Sequence, residues 1–291
     1  MKQATLPHPA APLRTTTLLA VLALLAAACG GKSQPAGTAT GGGAKATTTT
    51  QMAMAMPTGA KNMKVTITAP ADNTTVTANQ LTLKVATSGY TDTCDLAGKP
   101  TVNATTGHYH VLLDKALVNM YCTPTATVSM QNLKPGRHTL TVVPALNDHA
   151  EVEPNARSIT IDYAPIHPLP VLTDKTFAGA PSIKILSPQP GATVSGPFDV
   201  TVQLSNFNAS CALMGKPDLA GYGHWHLNLD SSSGPMMGMG SMLGMSCQRV
   251  FHATTAGLKP GQTHTLIALL VDNGHAPLHP PVESKLEVTI G

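Results

Sequence analysis

Two short stretches hold the residues best suited to chemistry. Residues 107–114 read "GHYHVLLD" and residues 221–230 read "GYGHWHLNLD". In an extended strand, successive side chains point to opposite faces. His108, His110 and Asp114 therefore share one face, with Tyr109, Val111 and Leu113 on the other. In the second stretch His224, His226, Asn228 and Asp230 oppose Trp225, Leu227 and Leu229. A two-residue step separates the histidine Cα atoms by about 6.6 Å, which lets two imidazoles converge on one ion. The aromatic and aliphatic face is expected to pack on a core, leaving the histidines toward solvent or under a loop. Later histidines, His138 and His149 after the first stretch and His264 or His275 after the second, can approach if neighbouring strands pair.

Imidazole suits copper, zinc and nickel, whereas thioethers select Cu(I). Methionine is clustered twice, at Met52, Met54 and Met56 and at Met236, Met237, Met239, Met242 and Met245. The second cluster lies between His226 and Cys247. Two plainer readings stay open. The histidines can be structural, with Asp114 or Asp230 holding a ring. The Met/Gly stretch can be a low-complexity insertion, since methionine fills irregular gaps without specificity.

The elements that must position these residues occur twice. "ITAPADNTTVTANQLTLKVATSGYTDTC" (67–94) aligns with "ILSPQPGATVSGPFDVTVQLSNFNASC" (185–211). Each first cysteine is followed by Gly-Lys-Pro (Gly98-Lys99-Pro100, Gly215-Lys216-Pro217), then by the His-x-His strand, then by a second cysteine. "RHTLTVVPALNDH" aligns with "THTLIALLVDNGH". Spacing that agrees at so many points indicates internal duplication. The main difference is the insertion "SSSGPMMGMGSMLGM" in copy two, which makes copy one an internal control. If the insertion's methionines contribute, copy two should prefer Cu(I), and copy one should bind weakly or prefer a nitrogen-loving ion.

Short Val/Thr/Ile/Leu runs such as "LTLKVATS" and "SITIDY" alternate with Gly/Pro/Asn/Asp turns. The fold expected is all-β, with two tandem immunoglobulin-like β-sandwiches over 62–164 and 182–291 and a Pro-rich linker over 165–181. Of five cysteines, Cys29 belongs to the export segment. The remaining four, an even number in an exported chain, read as disulfides within each copy: Cys94 with Cys122 and Cys211 with Cys247.

"GHWHLNLD" with "GLKPGQTHTLIALLVDNGHAPLHPPV" resembles a family of bacterial exported domains of unknown function. That family is marked by a Gly-His-x-His strand and a later His-Thr-Leu…Asp…His…Pro-Pro segment. The resemblance spans most of 183–291 and, more loosely, 65–162, where Pro154-Asn155 replaces the proline pair. It implies location and fold type, and it brings no reaction.

Residues 1–28 read as an export signal: Lys2 and Arg14, then "LLAVLALL" at 18–25, an apolar run too short to span a bilayer comfortably. Small residues before Cys29 resemble a lipobox, with Ala26 where a large aliphatic is usual. Cys29 is expected to carry lipid and residues 29–61 to form a flexible tether. Ordinary signal cleavage would instead leave a free Cys29. The chain has 18 basic and 15 acidic residues, and the signal takes two of the basic ones, so the remainder is near neutral. With 3% aromatics and no basic run, nucleic-acid binding is disfavoured. Gly-x-Ser-x-Gly, HExxH and P-loop motifs are absent, so no enzyme is expected. The first expectation is a membrane-anchored extracytoplasmic binding lipoprotein that takes a transition metal, copper favoured, with its protein partner unknown. The alternative is a structural or adhesive envelope module with structural histidines and no cofactor.

Overall fold

The computed structural model describes residues 56–100, 103–233 and 239–291. The signal segment, Cys29, most of the tether, Met52, Met54, Met236 and Met237 lie outside the described residues.

The described chain is built from strands. In the first sandwich β1 (Lys64–Ala69), β3 (Gln80–Ser88) and β7 (Thr125–Ser129) form a three-stranded sheet. The facing sheet contains β2 (Thr74–Val76), β4 (Thr91–Asp92), β5 (Thr106–Leu113), β6 (Ala116–Tyr121), β8 (Gly136–Ala145) and β9 (Arg157–Tyr163). Its order is β2-β9-β8-β5-β4, with β6 on the other part of β5. The second sandwich repeats this order. Its small sheet is β10 (Ser182–Ser187), β12 (Pro197–Ser205) and β16 (Val250–Thr254). Its large sheet is built from β11 (Ala192–Val194), β13 (Asn208–Ala209), β14 (Tyr222–Leu229), β15 (Met242–Ser246), β17 (Thr263–Val271) and β18 (Glu283–Ile290). A sheet with first, third and seventh strands facing one that carries the His-x-His strand, its successor and the last strands is the immunoglobulin-type arrangement.

Alternation explains the cores. Along β3 buried Leu81, Leu83 and Val85 alternate with exposed residues. They meet Tyr109, Val111 and Leu113 of β5 and Leu140 and Val142 of β8. In the second sandwich Trp225, Leu227 and Leu229 meet Val200, Val202, Leu266, Ala268 and Leu270. Burying one such side chain contributes ~1.5–3 kcal/mol. Trp225 keeps its Nε1–H satisfied by donating to Gln248 O at 2.9 Å.

The disulfides are Cys94–Cys122 and Cys211–Cys247, with Cα atoms 5.5 and 5.4 Å apart. They close loops of 28 and 36 residues. In the chain-entropy model such closures stabilise by about 3.5–4 kcal/mol each. Such bonds mark a fold made in an oxidising, extracytoplasmic compartment. Among the described residues no helix is long and apolar enough to cross a membrane.

The segment 164–181 contains no regular element. It is strapped to both sandwiches: Asn79 and Gln131 donate to the carbonyls of His167 and Pro170, and Lys175 N donates to Ala220 O. Both sandwiches belong to one compact unit, and the faces that carry the histidines turn toward each other.

Candidate metal centres between the two sandwiches

On β5 and β14 the face opposite the core is not open to water. His108, His110, His224 and His226 are each at most 2% exposed. The sequence expectation of histidines at solvent or under a loop is therefore met only in its second half, and the other sandwich adds to the cover.

The covering loops follow β8 and β17. In each, a tight turn places one histidine at positive φ: His149 at 64° and His275 at 71°. His149 N donates to Leu146 O, and His275 N to Asp272 O, closing the turns. A non-glycine residue in this region is uncommon, though histidine tolerates it better than most. Each turn folds its imidazole back over the His-x-His strand.

The result is two triads. His108 Nε2 lies 3.1 Å from His110 Nε2 and 3.0 Å from His149 Nδ1, and His110 Nε2 lies 3.3 Å from His149 Nδ1. His224 Nε2 lies 3.1 Å from His226 Nε2 and 2.9 Å from His275 Nδ1, and the third separation is 3.4 Å. In a tetrahedral site with metal–nitrogen bonds of ~2.0–2.1 Å, ligand nitrogens stand ~3.3–3.4 Å apart. Each triad can hold a metal ion.

The outer nitrogens set the tautomers. His149 Nε2 lies 2.7 Å from Met242 O, and His275 Nε2 lies 2.8 Å from Leu117 O. A carbonyl only accepts, so both loop histidines carry their proton on Nε2 and turn a Nδ1 lone pair inward. Glu151 Oε1 accepts from His110 Nδ1 at 2.7 Å, which turns a lone pair of the neutral ring inward as well. His108 Nε2 can donate its one proton to one of these neighbours, and His110 Nε2 and His149 Nδ1 still meet lone pair to lone pair. A cation satisfies all three nitrogens together. Outer hydrogen bonds of this kind are how proteins orient ligating histidines.

Both carbonyl partners lie on the opposite sandwich. Leu117 and Met242 are equivalent residues, since they pair with Leu112 and Asn228 at matching positions of β5 and β14. The Gly-Lys-Pro turns complete the arrangement. Gly98 N donates to Asn147 O and Gly215 N to Asn273 O, so each turn is bonded to its own histidine loop. Lys99 is buried and donates to Asp95 O, Thr254 O and Ala256 O, the last two on the second sandwich. Lys216 is buried with no hydrogen-bond partner for Nζ among the described residues. Burial pulls both lysines down to about 8.

One difference separates the triads. Glu151 pairs with Ala145 as Pro277 pairs with Val271, so proline stands where the first centre has its carboxylate.

Of the sequence candidates, His108, His110 and His149 come together, as do His224, His226 and His275. His138 and His264 do not join them. His138 Nδ1 donates to Asp114 Oδ2 at 2.6 Å, and His264 Nδ1 to Asp230 Oδ2 at 2.7 Å. Both lie at the far end of the strand, since Asp230 follows Leu229, about 17 Å along from His224. The same carboxylates accept from Thr139 N and Thr265 N, and both aspartates sit at positive φ. The aspartate that ends each His-x-His strand is a turn residue.

The insertion's methionines pack across the interface. Buried Met242 and partly buried Met239 and Met245 cluster with Ala97, Cys94 and Met120 of the first sandwich. Met120 was not singled out in sequence, yet it precedes Cys122 by two residues as Met245 precedes Cys247. That shared Met-x-Cys spacing was its signal. Copy one is thus no methionine-free control.

Burial holds the imidazoles of His108, His149, His224, His226 and His275 neutral. It drives His108, His224 and His226 well below the ordinary value, with neighbouring histidines adding to the effect, and brings His149 to about 3 and His275 to about 4. His149 acts on His226, and His110 on His275, so the centres feel each other across the interface. Unfolded imidazoles take up protons as pH falls through ~6.5, whereas the folded ones do not until far lower. The unfolded chain then binds more protons, so the stabilisation present above pH ~6.5 is lost as pH falls. Metal-free protein should show a lower urea midpoint at pH 5 than at pH 7.5. An equal or higher midpoint at pH 5 would refute this account of the triads.

No family model matches the chain, and no curated protein matches it. Among solved structures it is similar to the fibronectin(III)-like modules of Clostridium thermocellum CbhA, at 14% identity and a TM-score of 0.25, covering 78% of this chain and 93% of that one. Chicken CNTN1 FN1–FN3 domains follow at 10% identity and 0.23, covering 78% and 68%. The N-terminal four Ig domains of Dscam1 isoform 9.44 give 9% and 0.20, covering 79% of this chain and 46% of that fragment.

Proposed function

We propose that this chain is an exported envelope lipoprotein, anchored through Cys29, that binds two transition-metal ions, copper favoured, between its paired sandwiches. One observation carries the reading. In each triad three imidazole nitrogens stand 2.9–3.4 Å apart, and a carbonyl on the opposite sandwich turns the loop histidine's lone pair inward. The competing reading, a structural or adhesive module with histidines that only join the sandwiches, draws on the burial of both triads at that interface. A chelator-stripped full-length mature chain titrated with Cu(I), Cu(II) and Zn(II) separates the two. Two equivalents bound below ~10 μM, or about −7 kcal/mol each, are expected. Binding of no metal within that limit returns the histidines to a structural role. Mass spectrometry of the membrane fraction tests the anchor, and recovery of unmodified Cys29 alone would remove it.

A further inference from the structure

In antiparallel strands, directly opposed residues share a face, with Cβ atoms ~4.5–5.5 Å apart. Met120 of β6 stands directly opposite His110 of β5. Met245 of β15 stands directly opposite His226 of β14. The adjoining pair checks the first register: Tyr109 and Tyr121 also oppose each other, and their rings stack at 5.9 Å on the core side. The next pair therefore lies together on the triad side. Each triad has one thioether at the same place in its sheet, and that place is enclosed, with Met120 buried and Met245 partly buried.

Resting on the metal reading above, we infer that Met120 and Met245 supply the fourth ligand of the two centres and set their preference for Cu(I). Three imidazoles alone accept Zn(II), Cu(I) or Cu(II), and a thioether is the donor that favours Cu(I) among them. Tetrahedral coordination has a position left beyond three nitrogens. The other insertion methionines are differently placed. Met242 opposes Asn228 and contributes its carbonyl to His149, and its first-sandwich equivalent is Leu117, which has no sulfur. Among the described residues, only the Met120/Met245 position carries sulfur in both sandwiches and faces a triad histidine.

The test uses the full-length mature chain, with Met120→Leu and Met245→Leu made singly and together. X-ray absorption of the Cu(I)-loaded wild type should show sulfur beside nitrogen in the first coordination shell, halved in each single variant and lost in the double. Cu(I) affinity should fall by ~10-fold or more, while Zn(II) affinity moves by less than ~3-fold, because zinc tolerates an all-nitrogen and water shell. A wild-type shell of nitrogen alone, or sulfur retained in the double variant, overturns the inference and leaves the metal reading standing. Wild type that takes zinc and refuses Cu(I) does the same. Wild type that takes no metal sinks both. The wild-type spectrum decides the matter even if a variant fails to fold.

Discussion

Replacing His224 and His226 by alanine should cut the metal stoichiometry of the full chain from two equivalents to one. Two of three nitrogens leave the second centre, and His275 alone cannot hold the ion. The expected loss at that centre is ~1000-fold or more, about 4 kcal/mol. The first centre keeps its three rings and the Glu151 carboxylate. Both removed rings are buried, so the double variant leaves a cavity and some stability goes with it. His275→Ala, on a loop, repeats the test with one ring removed. Retention of two equivalents by both variants would end the assignment of this triad. Isolated sandwiches are a poor substitute for the whole chain. Cutting at the strap takes Leu117 O away from His275 and Met242 O away from His149, and with them the tautomer control.

Gly98→Val should destabilise the protein by ~3 kcal/mol or more and weaken metal binding at the first centre most. Gly98 has φ +72°, and a Cβ there would lie 2.5 Å from Met242 C and 2.6 Å from its carbonyl oxygen. That carbonyl is the one His149 donates to. A left-handed β-branched residue costs ~1–3 kcal/mol by itself, and the overlap with backbone adds to it. Gly215→Val is the mirrored case, with φ +70° and Leu117 O at 2.8 Å, and should weaken the second centre most. Gly261→Val supplies the control, since Gly261 has φ +80° and nothing within 4 Å of an added Cβ. It carries the strain without the collision. The measurement is the urea midpoint and the metal affinity of all three. If Gly98→Val and Gly261→Val lose the same stability and neither loses metal affinity, the close approach of the sandwiches does not build the centres.

The repeat, the strands, the core faces and the cysteine partners were legible in the sequence because each rests on local periodicity or on matched spacing. Alternation alone put Trp225 and Leu227 in a core and His224 and His226 on the reverse face. The spacing to Cys122 and Cys247 likewise paired each cysteine within its own copy. Other features depended on register between distant strands. His138 and His264 looked as eligible as His149 and His275, since each pair is eleven residues apart on one strand-loop unit. Pairing of His224 with Val271 puts His275, just past the end of β17, over the triad and sends His264 to the far end with Asp230. Met120 escaped notice because an opposed residue on a hairpin partner has no fixed sequence offset. The burial of both histidine faces was decided only by the packing of one sandwich on the other. That packing depends on Gly98 and Gly215 having no Cβ and on carbonyls about 90 and 160 residues from the rings they orient, as the separations of 93 and 158 residues record. No periodicity within either copy encodes a contact between the two.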